Sequence, residues 1–216
     1  MEKKFILTDK FVINSFGIKL FQIKCTKSFK YAQKGDFGGY VEKEGNLDQE
    51  NDAWVFGNAR VFGNARVSSN ARVSGDAWVS GDAWVSDNAR VSGDAWVSDN
   101  AWVSSNAWVS GDARVFGNAR VSGDAWVSGN AWVSGDADIE NDNEHCGFDG
   151  FGSCNRHTHA YMTKEKKVEI ICGCFRGSIE EFEKKVEETH SGTVYEKQYK
   201  SIINVIKIKF GLTDFT

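Results

Sequence analysis

The chain has 216 residues, enough for one large domain or two to three small ones. Hydrophobic residues make up 41% and charged residues 26%, the balance of an ordinary water-soluble globular chain. A formal net charge of −4 argues against a generic nucleic-acid binder, and there is no run of 18 apolar residues to cross a membrane. Met1 to Leu20 lacks the apolar core and cleavage site of a secretory signal. Five cysteines form no obvious pairing pattern, so the expected compartment is a reducing cytoplasm. Two counts are abnormal: 22 glycines with no proline, and eight tryptophans.

Residues 1–50 read as a β-rich cap. Phe5-Ile6-Leu7, Phe11-Val12-Ile13 and Ile18 to Ile23 are strand-like and are broken by Asn14-Ser15-Phe16-Gly17. Lys34 to Tyr40 reads as a glycine-rich turn. Val41 and Leu47 extend a six-residue spacing toward Ala53.

Residues 51–142 hold a strict repeat, Ala-(Trp/Arg)-Val-(Ser/Phe)-(Gly/Ser/Asp)-(Asp/Asn). It runs as fifteen hexads from Ala53 to Asp142 without insertion. A period of six is not helical. Ala and Val are two apart, so they share one side of a short strand, and the Trp or Arg between them points the other way. The Gly-Asp or Gly-Asn dipeptide after them supplies a corner, since both residues tolerate positive φ. One hexad cannot bury its Ala and Val alone, but stacked coils can. The pattern resembles the hexapeptide repeat of left-handed parallel β-helices, with three hexads per coil, which gives five coils over roughly 24 Å at about 4.8 Å per rung. A flattened two-sided solenoid of twelve residues per coil is the competing geometry.

Eighteen residues per coil fix three outward stacks. The first is Trp54, Arg72, Arg90, Trp108, Trp126; the second is Arg60, Trp78, Trp96, Arg114, Trp132; the third is Arg66, Trp84, Trp102, Arg120, Asp138. Such ladders stiffen the coils by ring stacking and cation–π contact. Stiffening is one reading of them; the alternative is that they form a contact surface, since Trp and Arg are common anchors of protein interfaces. The corner Asp and Asn serve backbone geometry first. Residues 51–142 nevertheless carry twelve acidic side chains and six arginines, a net −6, against +2 for residues 1–50 and 0 for residues 143–216. An acidic rod of this kind can imitate a nucleic-acid backbone. Aromatic anchors and negative charge coincide in the middle coils at Trp78, Trp84, Trp96 and Trp102 with Asp76, Asp82, Asp94 and Asp99, which are the expected partner-binding residues.

Residues 143–216 read as a small α+β domain that closes the rod. Lys166 to Phe175 suggests a strand paired with Ala160-Tyr161-Met162. Ser178-Ile179-Glu180-Glu181 is a capping box, so a helix should run to about His190 and end at Gly192. Tyr195 to Phe210 has the spacing of a second amphipathic helix. Cys146, Cys154, His157, His159, Cys172 and Cys174 lie here. No Cys-x-x-Cys pair sets up a tetrahedral zinc site, and nothing singles out a Cys–His nucleophile pair. Cys172 and Cys174 are expected to face one side of a strand as thiols, and no metal or other cofactor is expected.

Hexapeptide β-helices are best known as acyltransferases, which typically need a histidine in or beside the coils and a loop forming the acyl-donor groove. No histidine precedes His145 and no loop interrupts the hexads, so the resemblance to them extends to the repeat only. The whole chain resembles small proteins of phages and prophages of Gram-positive bacteria. The resemblance rests on Lys34-Gly35-Asp36-Phe37-Gly38-Gly39-Tyr40-Val41-Glu42-Lys43-Glu44, on the Gly-Asn-Ala-Arg-Val hexads, and on Cys172 to Phe182 with Glu188-Thr189-His190. It implies a role like that of phage β-helical anti-CRISPR proteins, which inhibit an RNA-guided nuclease, and implies no particular site residue. The expectation is therefore a mainly β protein, a single-stranded parallel β-helix with an N-terminal β cap and a C-terminal α+β domain. It would be a non-enzymatic inhibitor that docks on a host CRISPR-Cas or other defence nuclease in the bacterial cytoplasm. Direct nucleic-acid or membrane binding is not expected, and homo-oligomerisation is compatible with the reading. A structural or virion-associated scaffold is the alternative, and an acyltransferase is third.

Overall fold

The structure is a computed structural model and describes residues 2–212. Fifteen two-residue strands run from β4 (Trp54–Val55) to β18 (Asp138–Ile139). Each pairs in parallel with the strand 18 residues away: Trp78 beside Trp96, Trp96 beside Arg114, Arg114 beside Trp132. The coil is therefore three-sided, not a flattened twelve-residue loop, and the three outward stacks are those given by the 18-residue period. Every repeat Ala and Val is turned inward, and nearly all are fully buried. Two small residues per side leave a core too narrow for polar guests, and dense stacking of methyl groups stabilises it.

The corners depend on the fifth residue of each hexad. Gly81, for example, has φ +66°, and a Cβ placed there would meet the Asp99 backbone nitrogen at 2.8 Å. Ser69, Asp87, Asp99 and Ser105 take the same position with φ of 57–58°. Of the two corner residues that tolerate positive φ only the fifth adopts it; the sixth, Asn or Asp, is not left-handed. It serves the corner by side-chain ladders instead: Asn70, Asn88, Asn106 and Asp124 hydrogen-bond in series, each one coil from the next.

The N-terminal cap extends the second face. Strand β1 (Phe5–Ile13) pairs antiparallel with β2 (Lys19–Cys25), β2 pairs antiparallel with β3 (Phe37–Val41), and β3 then pairs in parallel with Arg60–Val61. Phe37 to Tyr40 is thus a strand and not the expected turn, which sits earlier at Gly35 (φ +101°). Gly38 and Gly39 are required because β3 lies against the first regular coil: a Cβ on Gly38 would meet the Val55 carbonyl at 2.5 Å. Val41 and Leu47 form a preliminary rung beside Val61 and Val67, bringing the solenoid to about six turns. The offset there is 20 residues and not 18 (61 minus 41, 67 minus 47), so a two-residue insertion separates this rung from the hexads. Lys4 closes the end: its buried ammonium donates to the Ala53 and Asn51 carbonyls, and burial lowers its pKa to about 8.

At the other end, β19 (His145–Phe151), β20 (Arg156–Met162), β21 (Val168–Cys172) and β22 (Phe175–Ser178) form an antiparallel sheet in that order. Helix α1 (Ile179–His190) opens with the expected Ser178/Glu181 capping box, and α2 (Val194–Lys209) follows. Ala160 and Ile170 pack under the helices, while Tyr161 and Ile171 on the opposite side join the core of the rod. Strand β19 has no counterpart among the elements expected from sequence. Cys172 and Cys174 do not share a strand: Gly173 (φ +61°) turns the chain between them, leaving Cys172 buried and Cys174 exposed.

Candidate binding surface

The outward side chains are held in register by the coil beneath them. On the third face the Trp84 and Trp102 rings are stacked, 5.5 Å apart and 8° from parallel, with the Arg120 guanidinium 4.5 Å from the Trp102 ring. On the first face Trp108 and Trp126 stack at 5.2 Å and 8°, with Arg90 at 5.9 Å from Trp108. On the second face Trp78 and Trp96 meet edge-on at 5.9 Å, and Arg60 and Arg114 lie over Trp78 and Trp132.

A second device fixes the indoles. The N–H groups of Trp84, Trp96, Trp102, Trp108 and Trp126 each donate to the serine sixteen residues earlier, at 2.9–3.4 Å. That serine is the fourth residue of the hexad one coil back. Where phenylalanine takes this place, the ring packs on the indole instead: Phe62 on Trp78 and Phe116 on Trp132. Trp132 accordingly has a buried Nε1 without a partner. The sequence contains this signal as Ser or Phe at position four, but it becomes legible only when the coil length is known.

Charge is partitioned between faces and edges. Among the described residues no rod arginine pairs with a carboxylate, although acids outnumber arginines in the rod two to one. The guanidinium groups lie on the faces among the rings, and most of the acids lie at the corners; Asp138 is an exception, standing beside Arg120 on the third face. Asp76, Asp94 and Asp112 are exposed and follow one another at one-coil intervals along the edge between the first and second faces. Asp82 and Asp99 lie along the edge between the second and third; Asp82 accepts from Asn64 Nδ2 at 3.1 Å and Asp99 from the Gly117 amide at 3.1 Å.

The eight expected contact residues therefore do not form one flat patch. Trp78 and Trp96 lie on the second face, bordered by Asp76 and Asp94 on one edge and by Asp82 and Asp99 on the other. Trp84 and Trp102 lie round the corner on the third face. Trp78 is partly covered, since Phe16 of the cap meets it edge-on at 6.2 Å. The more accessible indoles are Trp84 (44% exposed), Trp108 (36%) and Trp126 (50%). A choice restricted to the middle coils misses Trp108 and Trp126. Their spacing of 18 residues, like that of Trp84 and Trp102, is the signal that points to them.

The C-terminal cysteines and histidines do not come together as one site. The cysteines are free thiols, and burial pushes the Cys146 thiol up to about 11. His145, His157 and His159 line the joint with the last coil. Among the described residues no three His, Cys, Asp or Glu side chains are placed to hold a metal ion.

The repeats are similar to a known family, described as the YdcK Beta solenoid repeat, over residues 65–81, 71–86, 83–99, 107–123 and 113–129. These matches lie wholly within the hexads. No curated protein matches the chain.

Proposed function

From the premise of a β-solenoid repeat protein with aligned, exposed Trp/Arg faces, we propose a non-enzymatic binding protein that uses its rod to dock on another protein. The observation that carries this reading is the pinned ladder. Stacked indoles tied by N–H bonds lose little entropy on binding, and guanidinium groups beside them, free of carboxylate partners, offer planar donors to an incoming acid. The acidic edges add steering toward a basic partner and discourage nucleic acid from the rod itself. Together with the phage-protein resemblance, these features favour inhibition of a host defence nuclease, acting in the bacterial cytoplasm by covering a basic groove or a catalytic domain.

The test is a DNA-cleavage assay with a purified CRISPR-Cas nuclease from a Gram-positive host. Dose-dependent inhibition is expected, together with a complex that co-elutes on gel filtration. Trp108→Ala/Trp126→Ala should weaken that complex by about 2 kcal/mol or more if these rings are anchors. Asp76→Asn/Asp94→Asn should mainly slow association and reduce its salt dependence. Full cleavage with no complex would refute inhibition of that nuclease. A second reading, an assembly scaffold, is favoured by the exposed Phe11, Ile13, Phe16 and Phe37 of the N-terminal cap. Concentration-dependent oligomers lost on Phe16→Ser/Phe37→Ser would support it.

A further inference from the structure

The C-terminal domain contains a cleft of about 220 Å³ that the rod-based reading does not use. It lies where α1 and α2 meet the end of the sheet. Its inner wall is Cys172, Phe182, Val186 and Tyr199, all buried. The Tyr199 ring is stacked on His190 at 5.5 Å and meets Phe182 edge-on at 5.6 Å. The Cys172 thiol is occupied by its neighbours: it accepts from the Thr158 hydroxyl at 3.3 Å and lies 3.8 Å from the Tyr199 hydroxyl. The wall is thus apolar and aromatic, with its polar atoms satisfied internally.

The rim has the opposite character. Arg156, Lys185 and His190 line it; Lys185 also lies 3.7 Å from Glu188, which stands outside the lining, while Arg156 pairs with no carboxylate among the described residues. Arg156 lies against the turn between the two cysteines. Its guanidinium lies over Gly173, where a Cβ would come within 2.5 Å of it. A side chain at Gly173 would displace the guanidinium from this position. Volume, wall and rim together specify a ligand. The cleft is smaller than the roughly 300–1,000 Å³ of drug-sized sites, so the ligand is small. The wall favours a flat apolar body, and the rim favours one negative charge, best met by a carboxylate on a guanidinium.

We propose that this cleft is a binding site for a small aromatic carboxylate, its ring against Phe182 and Tyr199 and its carboxylate toward Arg156 and Lys185. The site is independent of the rod surface, so it stands or falls apart from the docking role.

The experiment is a titration of the isotope-labelled full chain with benzoate, benzyl alcohol and inorganic phosphate, followed by NMR. Benzoate should give saturable shifts confined to Arg156, Cys172–Phe182, Lys185–His190 and Tyr199. Benzyl alcohol and phosphate should each bind at least tenfold more weakly. Arg156→Gln/Lys185→Gln, both exposed positions, should lose at least tenfold in benzoate affinity with an unchanged fold. Gly173→Ala provides a second variant, expected to weaken benzoate without touching it. Four outcomes overturn the proposal: no saturation by benzoate at about 20 mM, equal binding of either control, undiminished binding in the double variant, or shifts located at the rod indoles instead.

Discussion

An indole tied to a serine one coil back is fixed in azimuth as well as in depth. Ser92→Ala and Ser110→Ala remove the acceptors of Trp108 and Trp126 while leaving the stacked pair in place. Because both rings are partly solvated, the stability cost should be at most about 1 kcal/mol. The indole N–H protons should exchange with solvent markedly faster, which NMR measures directly; unchanged exchange would mean that stacking alone holds the rings. The core responds differently. Val97 is wholly buried, and Val97→Asp places a charge among methyl groups with no partner within reach. That change should abolish cooperative folding, as read by thermal denaturation, whereas wild-type melting would contradict the inward register. The register is legible from residues two apart. The serine bond is not, because its offset of sixteen residues belongs to the coil and not to the hexad.

Corners are the elements that set the coil. Gly81→Ala would put a methyl group against the neighbouring corner at a positive φ, where the obstacle is backbone and cannot swing aside. A loss of about 1–3 kcal/mol is expected in chemical denaturation. Ser69→Gly, at an equivalent φ of 58°, should instead be neutral or mildly stabilising. Elements with a period or a cap are legible in the sequence: the fifteen rungs, the hairpin of β20 and β21, and both helices. Elements governed by close approach are not. Strand β3 carries Gly38-Gly39 and so reads as a turn, although the glycines are there to let two backbones pack. Strand β19, His-Cys-Gly-Phe-Asp-Gly-Phe, has neither β-branched residues nor alternation, and is held by its pairing with β20. Cys172 and Cys174 read as members of one strand because the positive φ of Gly173 between them leaves no mark in composition.

For the molecule as a whole, the joint between rod and C-terminal domain is where acid should act. His159 is buried there, its Nδ1 3.0 Å from the Trp132 carbonyl and its Nε2 3.1 Å from His145 Nδ1. Burial first, then the neighbouring His145 and His157, hold its pKa down to about 3, against the hydrogen bond to Trp132 that raises it. Burial also lowers His145, partly offset by Asp142. The unfolded chain binds these protons near pH 6.5 and the folded chain does not. Stability is therefore full above about pH 6.5 and declines as pH falls toward 3, by about 3 kcal/mol at pH 4.5 from His159 alone. Melting of the wild type between pH 7 and 4.5 should show this, and His159→Gln should flatten it. An equally steep decline in the variant would place the acid-sensitive group elsewhere.

The near-identity of the coils has a consequence for descent. Removing one hexad from the middle of the rod would leave every remaining valine facing inward, yet turn the whole C-terminal part by a third of a revolution. With residues 99–104 gone, Trp108 and Trp126 would fall in line with Trp84, and Asp112 would leave the edge that carries Asp76 and Asp94. Near-identical repeats invite such slippage when the gene is copied. Each slip would shuffle the exposed lettering and re-aim the C-terminal domain while sparing the interior. A lineage built this way can change what it presents far faster than it changes how it folds. The chain lacking residues 99–104 should therefore melt cooperatively near the wild-type temperature, but with its old contacts scrambled.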